Sequence, residues 1–315
     1  MPTTHTHIFQ SIRVHNYGGP EQLQLEQIQH PDLQTGEVLV RVHAAGVNPI
    51  DWKIRQGMMK DFMPTQFPYT PGVDIAGVIA EIGPGDTEFQ IGQAVYGQST
   101  QGAYSEYSIA SVKALALKPR TLSFDEAAAI PVGATTAWQG LFDYAKLEAG
   151  QQVLIQGGAG GVGLFAVQFT RWKGAHVQAI ASRSNVDFVR SLGAEKVIDY
   201  TATSVADAAH DVDMVYDTVG GAALDSSIQV LKEGGTLISI AGLPDEQKVK
   251  EKNIRVVSFS AQVNSKLLET FAQLIDEGKI KVIIAKIFPL SQAKQAHELS
   301  QSGHGRGRIV LHIAD

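Results

Sequence analysis

The sequence predicts an α/β protein made of a mainly β unit and a doubly wound parallel-sheet unit with helices on both faces. Three observations carry this. An apolar run, Gln152–Gln156, leads into the glycine cluster Gly157-Gly158-Ala159-Gly160-Gly161-Val162-Gly163 and then directly into a helical pattern. From about Ser123 onward, short apolar strands alternate with helical segments, as βαβ units and a covered parallel sheet require. The first third instead carries short alternating segments cut by Gly and Pro, which suits a compact β unit. At 315 residues the chain exceeds the size at which single cores stop growing, so two domains are expected.

Taken in order, Val38, Val40 and Val42 alternate with Leu39, Arg41 and His43, a strand pattern. VDIAGVIAEIG (residues 73–83), QAVYGQ and AYSEYSIA are similar, punctuated by Pro64, Pro68, Pro71 and Pro84. Ser123 is an N-cap candidate with acidic residues behind it, opening a helical stretch interrupted near Pro131. The strands that follow are VLIQ, HVQAIA, KVID, VDMVYD, GTLISIAG and IRVVSFSA. The tail, residues 284–313, reads strand, helix, strand, and its texture places it back with the first third.

An apolar share of 44%, 18% charged residues and a net charge of −6 describe a soluble globular chain and argue against a general nucleic-acid or anionic-membrane binder. There is no cysteine, which excludes disulfides, thiolate zinc sites and a cysteine nucleophile. The N-terminus lacks the layout of a signal peptide and no apolar run is long enough for a membrane span, so a cytoplasmic protein is expected. His5 and His7 read as part of a polar tail rather than a metal-binding pair.

Gly158, Gly160 and Gly163 satisfy GxGxxG, the fingerprint of a dinucleotide-binding strand–turn–helix. Glycines permit the tight turn and a close backbone approach, and the helix N-terminus offers N–H groups to a pyrophosphate. The end of the next strand falls at Ala181-Ser182-Arg183, with no carboxylate there to bind a ribose 2′-hydroxyl. A guanidinium at that place binds a 2′-phosphate instead, so Ser182 and Arg183 favour NADPH. The loops holding Val219 and Gly242 leave the carboxyl ends of strands, the edge where ligands of open parallel sheets bind. Asp217 is expected to cap the next helix rather than do chemistry.

Several phrases recur in order: VHNYGGPEQLQLEQI, GEVLVRVHAAGVNPIDWKIRQG, YTPGVDIAGVIAEIG, GAYSEY, PVGATTAWQGL, GGAGGVG, YDTVGG and GRIVLHI. Together, over nearly the whole chain, they resemble the medium-chain dehydrogenase/reductase superfamily in its zinc-independent quinone oxidoreductase branch. The resemblance implies a GroES-like catalytic domain from residues 1–124 and 281–315. It also implies a Rossmann domain from residues 125–280, with NADPH in the cleft between them. Zinc-dependent relatives need a cysteine near the position of Asn48 and a Gly-His-Glu phrase; here that phrase reads Gly72-Val73-Asp74. Without a Lewis acid to lower an alcohol's pKa, hydride delivery to an activated quinone or α,β-unsaturated carbonyl is the implied reaction.

The resemblance makes Asn48 the leading donor to the developing oxyanion, through two amide hydrogen bonds. Lys53 and Tyr104 are further candidates for oxyanion stabilisation or protonation, with surface or packing roles as their alternatives, and Asp51 is expected to hold the Asn48 loop in shape. It also maps the phosphate turn onto Ala159, Gly160, Gly161 and Val162. It places Thr135 near the nicotinamide and Tyr200 at the 2′-phosphate, and gives Arg308 a place in cofactor binding. Alternatives within reach are a 2-enoyl-thioester reductase and a non-enzymatic NADPH-binding redox sensor. IRVVSFSA is expected to be an apolar edge strand through which a homodimer forms. The loop at residues 58–68, rich in Met and Phe, either lines an apolar pocket or packs as a loop.

Overall fold

The computed structural model describes residues 8–303 and 305–315; His5 and His7 lie outside them. The strands are β1 (Phe9–Arg13), β2 (Gln24–Ile28), β3 (Glu37–Val47), β4 (Asp74–Ile82), β5 (Ala94–Ser99), β6 (Tyr107–Leu117), β7 (Gln152–Gln156), β8 (His176–Ala181), β9 (Lys196–Asp199), β10 (Val212–Asp217), β11 (Leu231–Ser239), β12 (Arg255–Val257), β13 (Ile284–Pro289) and β14 (Arg308–His312). The helices used below are α1 (Pro49–Arg55), α2 (Phe124–Ala128), α3 (Pro131–Trp138), α4 (Gly163–Lys173), α5 (Ser265–Asp276) and α6 (Ala293–Gln301).

Two compact units form, one from residues 1–132 with 263–315 and the other from Gly133–Gln262. These limits correct the expected boundaries at 124/125 and 280/281. Residues of α2 and α5 pack on the β unit, and the Tyr96 hydroxyl of β5 donates to the Leu268 carbonyl of α5. Both helices read as generic helical pattern in the sequence, and only the faces they bury assign them.

In the first unit six strands run in the order β13-β14-β3-β4-β5-β6, and β3 also pairs with β6, so β3 to β6 close on themselves. Closure buries both faces of β3. Val38, Val40 and Val42 face one core with Ile75, Ile79, Val95, Leu115 and Leu311, while Leu39 on the other face is equally buried. Each such residue removed from water contributes about 1.5–3 kcal/mol. The tail does return: β14 pairs antiparallel with β3, from Ile309 opposite Val47 to His312 opposite Ala44. Ser123 caps α2 as expected, with its hydroxyl accepting the Glu126 N–H and the Glu126 carboxylate accepting the Ser123 N–H. Pro131 then starts a new helix, α3.

The second unit is a parallel sheet in the order β12-β11-β10-β7-β8-β9, the doubly wound arrangement. Chain order reverses between β7 and β10, the switch point beside which such sheets bind ligands. One core lies on Leu154, Ile180, Ile198, Val215 and Leu237. β12 is the edge strand but holds only three residues, because its ladder to β11 ends at Val257 opposite Ile238. Among the described residues no helix is long and apolar enough to cross a membrane.

Candidate active site

The glycine turn grows out of β7. Gly157 adopts φ +70, a left-handed conformation that only glycine enters without penalty, and the Gly158 N–H donates to the Ile180 carbonyl of β8 at 3.0 Å. A Cβ on Gly163 would lie 2.1 Å from the Gly157 carbonyl oxygen, whereas one on Gly160 would meet only that oxygen, at 3.3 Å. Gly163 is therefore the close-packing glycine at the start of α4, and Gly160 is the position a ligand can approach. Among the described residues the N–H groups of Ala159, Gly161 and Val162 have no hydrogen-bond acceptor in the protein. Together with the N-terminus of the 11-residue helix α4, they fit a pyrophosphate.

Ser182 and Arg183 follow β8, and Tyr200 follows β9, the next strand in the sheet. The Arg183 side chain is 84% exposed, its Nη1 3.9 Å from Asp199 Oδ2, and Tyr200 is exposed. Ser182 Oγ accepts from Asn185 Nδ2 at 3.1 Å. Asp199 is the carboxylate that counting along the chain does not find. It lies opposite Ala181 in the β8–β9 ladder, with its Oδ1 taken by the Thr201 N–H and hydroxyl. Thr135 is fully buried and its hydroxyl has no partner, a vacancy that suits a ligand polar group. Val219 and Gly242 are exposed at the carboxyl ends of β10 and β11. Asp217 does not cap a helix: buried at the end of β10, it accepts the Val219 and Gly220 N–H groups and the Ser239 hydroxyl, bracing that loop.

The first unit holds a buried chain of polar side chains. Asn48 follows β3 and caps the N-terminus of α1. Its Nδ2 donates to Asp74 Oδ2 at 2.9 Å, and its Oδ1 accepts from Arg308 Nη2 at 2.8 Å. Arg308 is donor-only, so the Asn48 amide orientation is set. One Asn48 N–H remains, which corrects the expectation of two donors to substrate. Arg308, 3% exposed, also donates to Asp74 Oδ2 at 3.1 Å and through Nε to the Ala129 carbonyl at 2.8 Å. Its place is therefore beneath Asn48 rather than the expected one at a cofactor, because Nε and Nη2 are both spent on partners inside the protein.

Asp51 Oδ2 accepts the Asn48 backbone N–H at 2.8 Å and the Tyr104 hydroxyl at 2.9 Å, so Asp51 does hold the Asn48 turn. Arg55 Nε donates to His297 Nδ1 at 3.3 Å, which leaves the proton on Nε2 for the Tyr104 oxygen at 3.1 Å. Tyr104 is fully buried with its proton spent on Asp51. It is thus removed from the groups that can touch substrate. Lys53, half-buried on α1, places its ammonium 5.7 Å from the ring of neighbouring Trp52 and joins none of these contacts.

Burial sets the protonation of this chain. It pushes Asp51 up to about 7 against the hydrogen bonds from Asn48 and Tyr104. It likewise pushes Asp74 up to about 6, opposed by Arg308 and Asn48. Burial, helped by the charge of Arg55, drives His297 down to about 3, so the imidazole is neutral. Sequence reasoning had no signal for His297 or Arg55, a lone His and a lone Arg on helices 242 residues apart.

Residues 34–120 match the family described as alcohol dehydrogenase GroES-like domain, and residues 192–311 match the one described as zinc-binding dehydrogenase. The chain is 32% identical over 323 residues to a chloroplast envelope quinone oxidoreductase homolog of Arabidopsis thaliana, covering 96% of this chain and 98% of that protein. It is 33% identical over 311 residues to an NADPH-dependent alkenal/one oxidoreductase of the same plant, covering 94% and 78%. The quinone oxidoreductase structure from Coxiella burnetii superposes with a TM-score of 0.87 at 34% identity, covering 97% of this chain and 99% of that one.

Proposed function

We propose a function from one premise: the chain belongs to the medium-chain dehydrogenase/reductase superfamily, in its zinc-independent quinone oxidoreductase branch, and is an oxidoreductase. Our reading is that it reduces quinones or α,β-unsaturated carbonyl compounds with NADPH and without a metal. The observation that carries it is the turn at residues 157–163, whose unpartnered N–H groups and open Gly160 suit a pyrophosphate, with Arg183 and Tyr200 exposed on adjacent strand ends. Bound there, NADPH would supply the hydride.

The protein's own part falls to Asn48. Its one remaining N–H is a donor for the oxygen that gains charge, and the Arg308 guanidinium 2.8 Å from its Oδ1 makes the amide a better donor. The same buried guanidinium disfavours a cation at this place, and neither Asn48 nor Val73 is a thiolate or imidazole ligand. Lys53 remains a candidate proton source on the same helix. Oxidation of NADPH in the presence of 1,2-naphthoquinone or a short 2-alkenal tests the reading, and no turnover with either defeats it. Activity confined to crotonyl coenzyme A would move the reading to a 2-enoyl-thioester reductase. Tight NADPH binding with no acceptor at all would leave a redox sensor.

Arg183 is the cofactor-selecting residue in this reading. Arg183→Ala should weaken NADPH binding about 10- to 100-fold, the worth of a charge-assisted contact, and leave NADH binding unchanged; equal effects on both cofactors would refute the assignment. The β12 edge is proposed to pair with a second copy, which a monomeric mass in light scattering would overturn. We propose a cytoplasmic location on the same footing, to be checked by fractionating cells.

A further inference from the structure

We propose that Tyr69 and Asp51 form a two-donor site for a carbonyl oxygen of the substrate, separate from the Asn48 amide; this rests on the carbonyl-reductase reading above. Both residues line an open cavity of about 630 Å³ in the first unit, together with Ile54, Met63, Val73 and Ser99. The loop at residues 58–68 thus supplies part of a pocket wall through Met63 and Pro64, while Met58 and Phe62 stay exposed.

Two residues of this wall each carry a buried polar atom without a partner, Asp51 Oδ1 and Tyr69 Oη. Asp51 as a whole is only 2% exposed. An orphaned buried polar group forfeits its hydration without return, so two from one cavity wall mark a place where a ligand group belongs. The hydrogen-bond inventory says what kind. Asp51 Oδ2 already accepts two donors, from Asn48 and Tyr104. The proton of the neutral acid therefore resides on Oδ1, the atom left unpartnered. Tyr69 is held by backbone, its N–H and C=O both paired with Val14, and its hydroxyl is kept protonated by burial and by the nearby Asp51. Two O–H donors with no acceptor call for an acceptor-only group, and a ketone, aldehyde or quinone oxygen is one. A phenol paired with a protonated carboxylic acid is a proven way to stabilise oxygen that gains negative charge.

The donor pair has a built-in pH limit. Burial raises Asp51 to about 7, so below that value Oδ1–H donates, and above it the carboxylate repels a carbonyl oxygen. The groups around Asp51 are Tyr104 before β6, Tyr69 before β4, Asp74 of β4 and Arg308 of β14. Beyond Tyr104 lie His297 of α6 and Arg55 of α1. Arg13 and His30 also line the cavity; among the groups around Asp51 the tyrosines are raised and His297 is neutral, so of these only Asp51 and Asp74 change charge between pH 5 and 8.

Equilibrium dialysis of the full chain against 9,10-phenanthrenequinone, without nucleotide, tests the site. Wild type should bind about tenfold more weakly at pH 8.5 than at pH 6. Tyr69→Phe should bind about tenfold more weakly than wild type at pH 6, the worth of one lost buried hydrogen bond. Asp51→Asn keeps an amide donor on the cavity side but cannot titrate, so its affinity should be flat across that range. Unchanged affinity in Tyr69→Phe, or a wild-type pH profile in Asp51→Asn, overturns the site; should Asp51→Asn not fold, Tyr69→Phe decides alone. Binding with this pattern but no NADPH oxidation would defeat the proposed function and keep the site. Turnover without the pattern would do the reverse.

Discussion

Arg308→Ala should destabilise the protein by about 3–5 kcal/mol, the cost of leaving a buried charge without its partner. Asp74 is fully buried and receives Arg308 Nη2, the Asn48 amide and the Val132 N–H. Removing the guanidinium leaves an ionised carboxylate in the interior and also strips the acceptor side of the Asn48 amide. The loss should depend on pH in a defined direction. Asp74 already sits raised, at about 6, and rises further without Arg308. Its protonation relieves the unpaired charge, so the penalty should be full above the variant's raised value, shrink as pH falls from there toward about 6, and be least below it. Thermal melts of wild type and variant at pH 5 and pH 8 measure this. Equal penalties at both pH values would mean that Arg308 acts through packing alone. The carboxylate-neutral variant Asp74→Asn should rescue part of the Arg308→Ala loss, because the two residues share one interaction.

Gly163→Ala should abolish nucleotide binding and cost about 3 kcal/mol, near the upper end for forcing a methyl into packed structure. The added Cβ would meet the Gly157 carbonyl oxygen at 2.1 Å and the Gly158 Cα at 3.0 Å. Both are backbone, so no rotamer change relieves the clash, and the turn must open. Gly160→Ala provides the contrast, since its Cβ meets only the Gly157 oxygen at 3.3 Å. That variant should melt within about 1 kcal/mol of wild type yet lose NADPH affinity, because the methyl occupies the face a pyrophosphate would approach. Calorimetric titration with NADPH beside melting curves separates the two roles. If Gly160→Ala bound NADPH normally, the turn would not be the phosphate site.

The local features were legible because each depends on neighbours in the chain. The β7–turn–α4 fingerprint, the Ser123 cap, the break at Pro131 and strands such as β8, β9 and β10 follow from spacing and side-chain type over a few residues. The resemblance in motif order extended this to the branch of the superfamily and to the return of the tail onto β3. Residues whose partners are remote in sequence were misjudged. The resemblance alone gives Arg308 a place at the cofactor, yet its partners Asn48 and Asp74 lie 260 and 234 residues away. Tyr104 was a candidate donor until folding placed its hydroxyl between Asp51 and His297. Asp199 is 18 residues from Ala181 along the chain, and only strand pairing sets the two opposite each other.

What the sequence by itself determined was the class of fold, the glycine turn that opens α4, and the lack of any cysteine with which to build a thiolate metal site. These are decided by backbone freedom, periodicity and composition, all local properties. The tertiary structure alone decided which polar groups are spent and which are still available. Hydrogen-bond partners and desolvation come from chain segments brought together only on folding. By those means folding leaves Asn48 one N–H, turns Arg308 inward, and buries Asp51 at the wall of an open cavity with its carboxyl raised by desolvation.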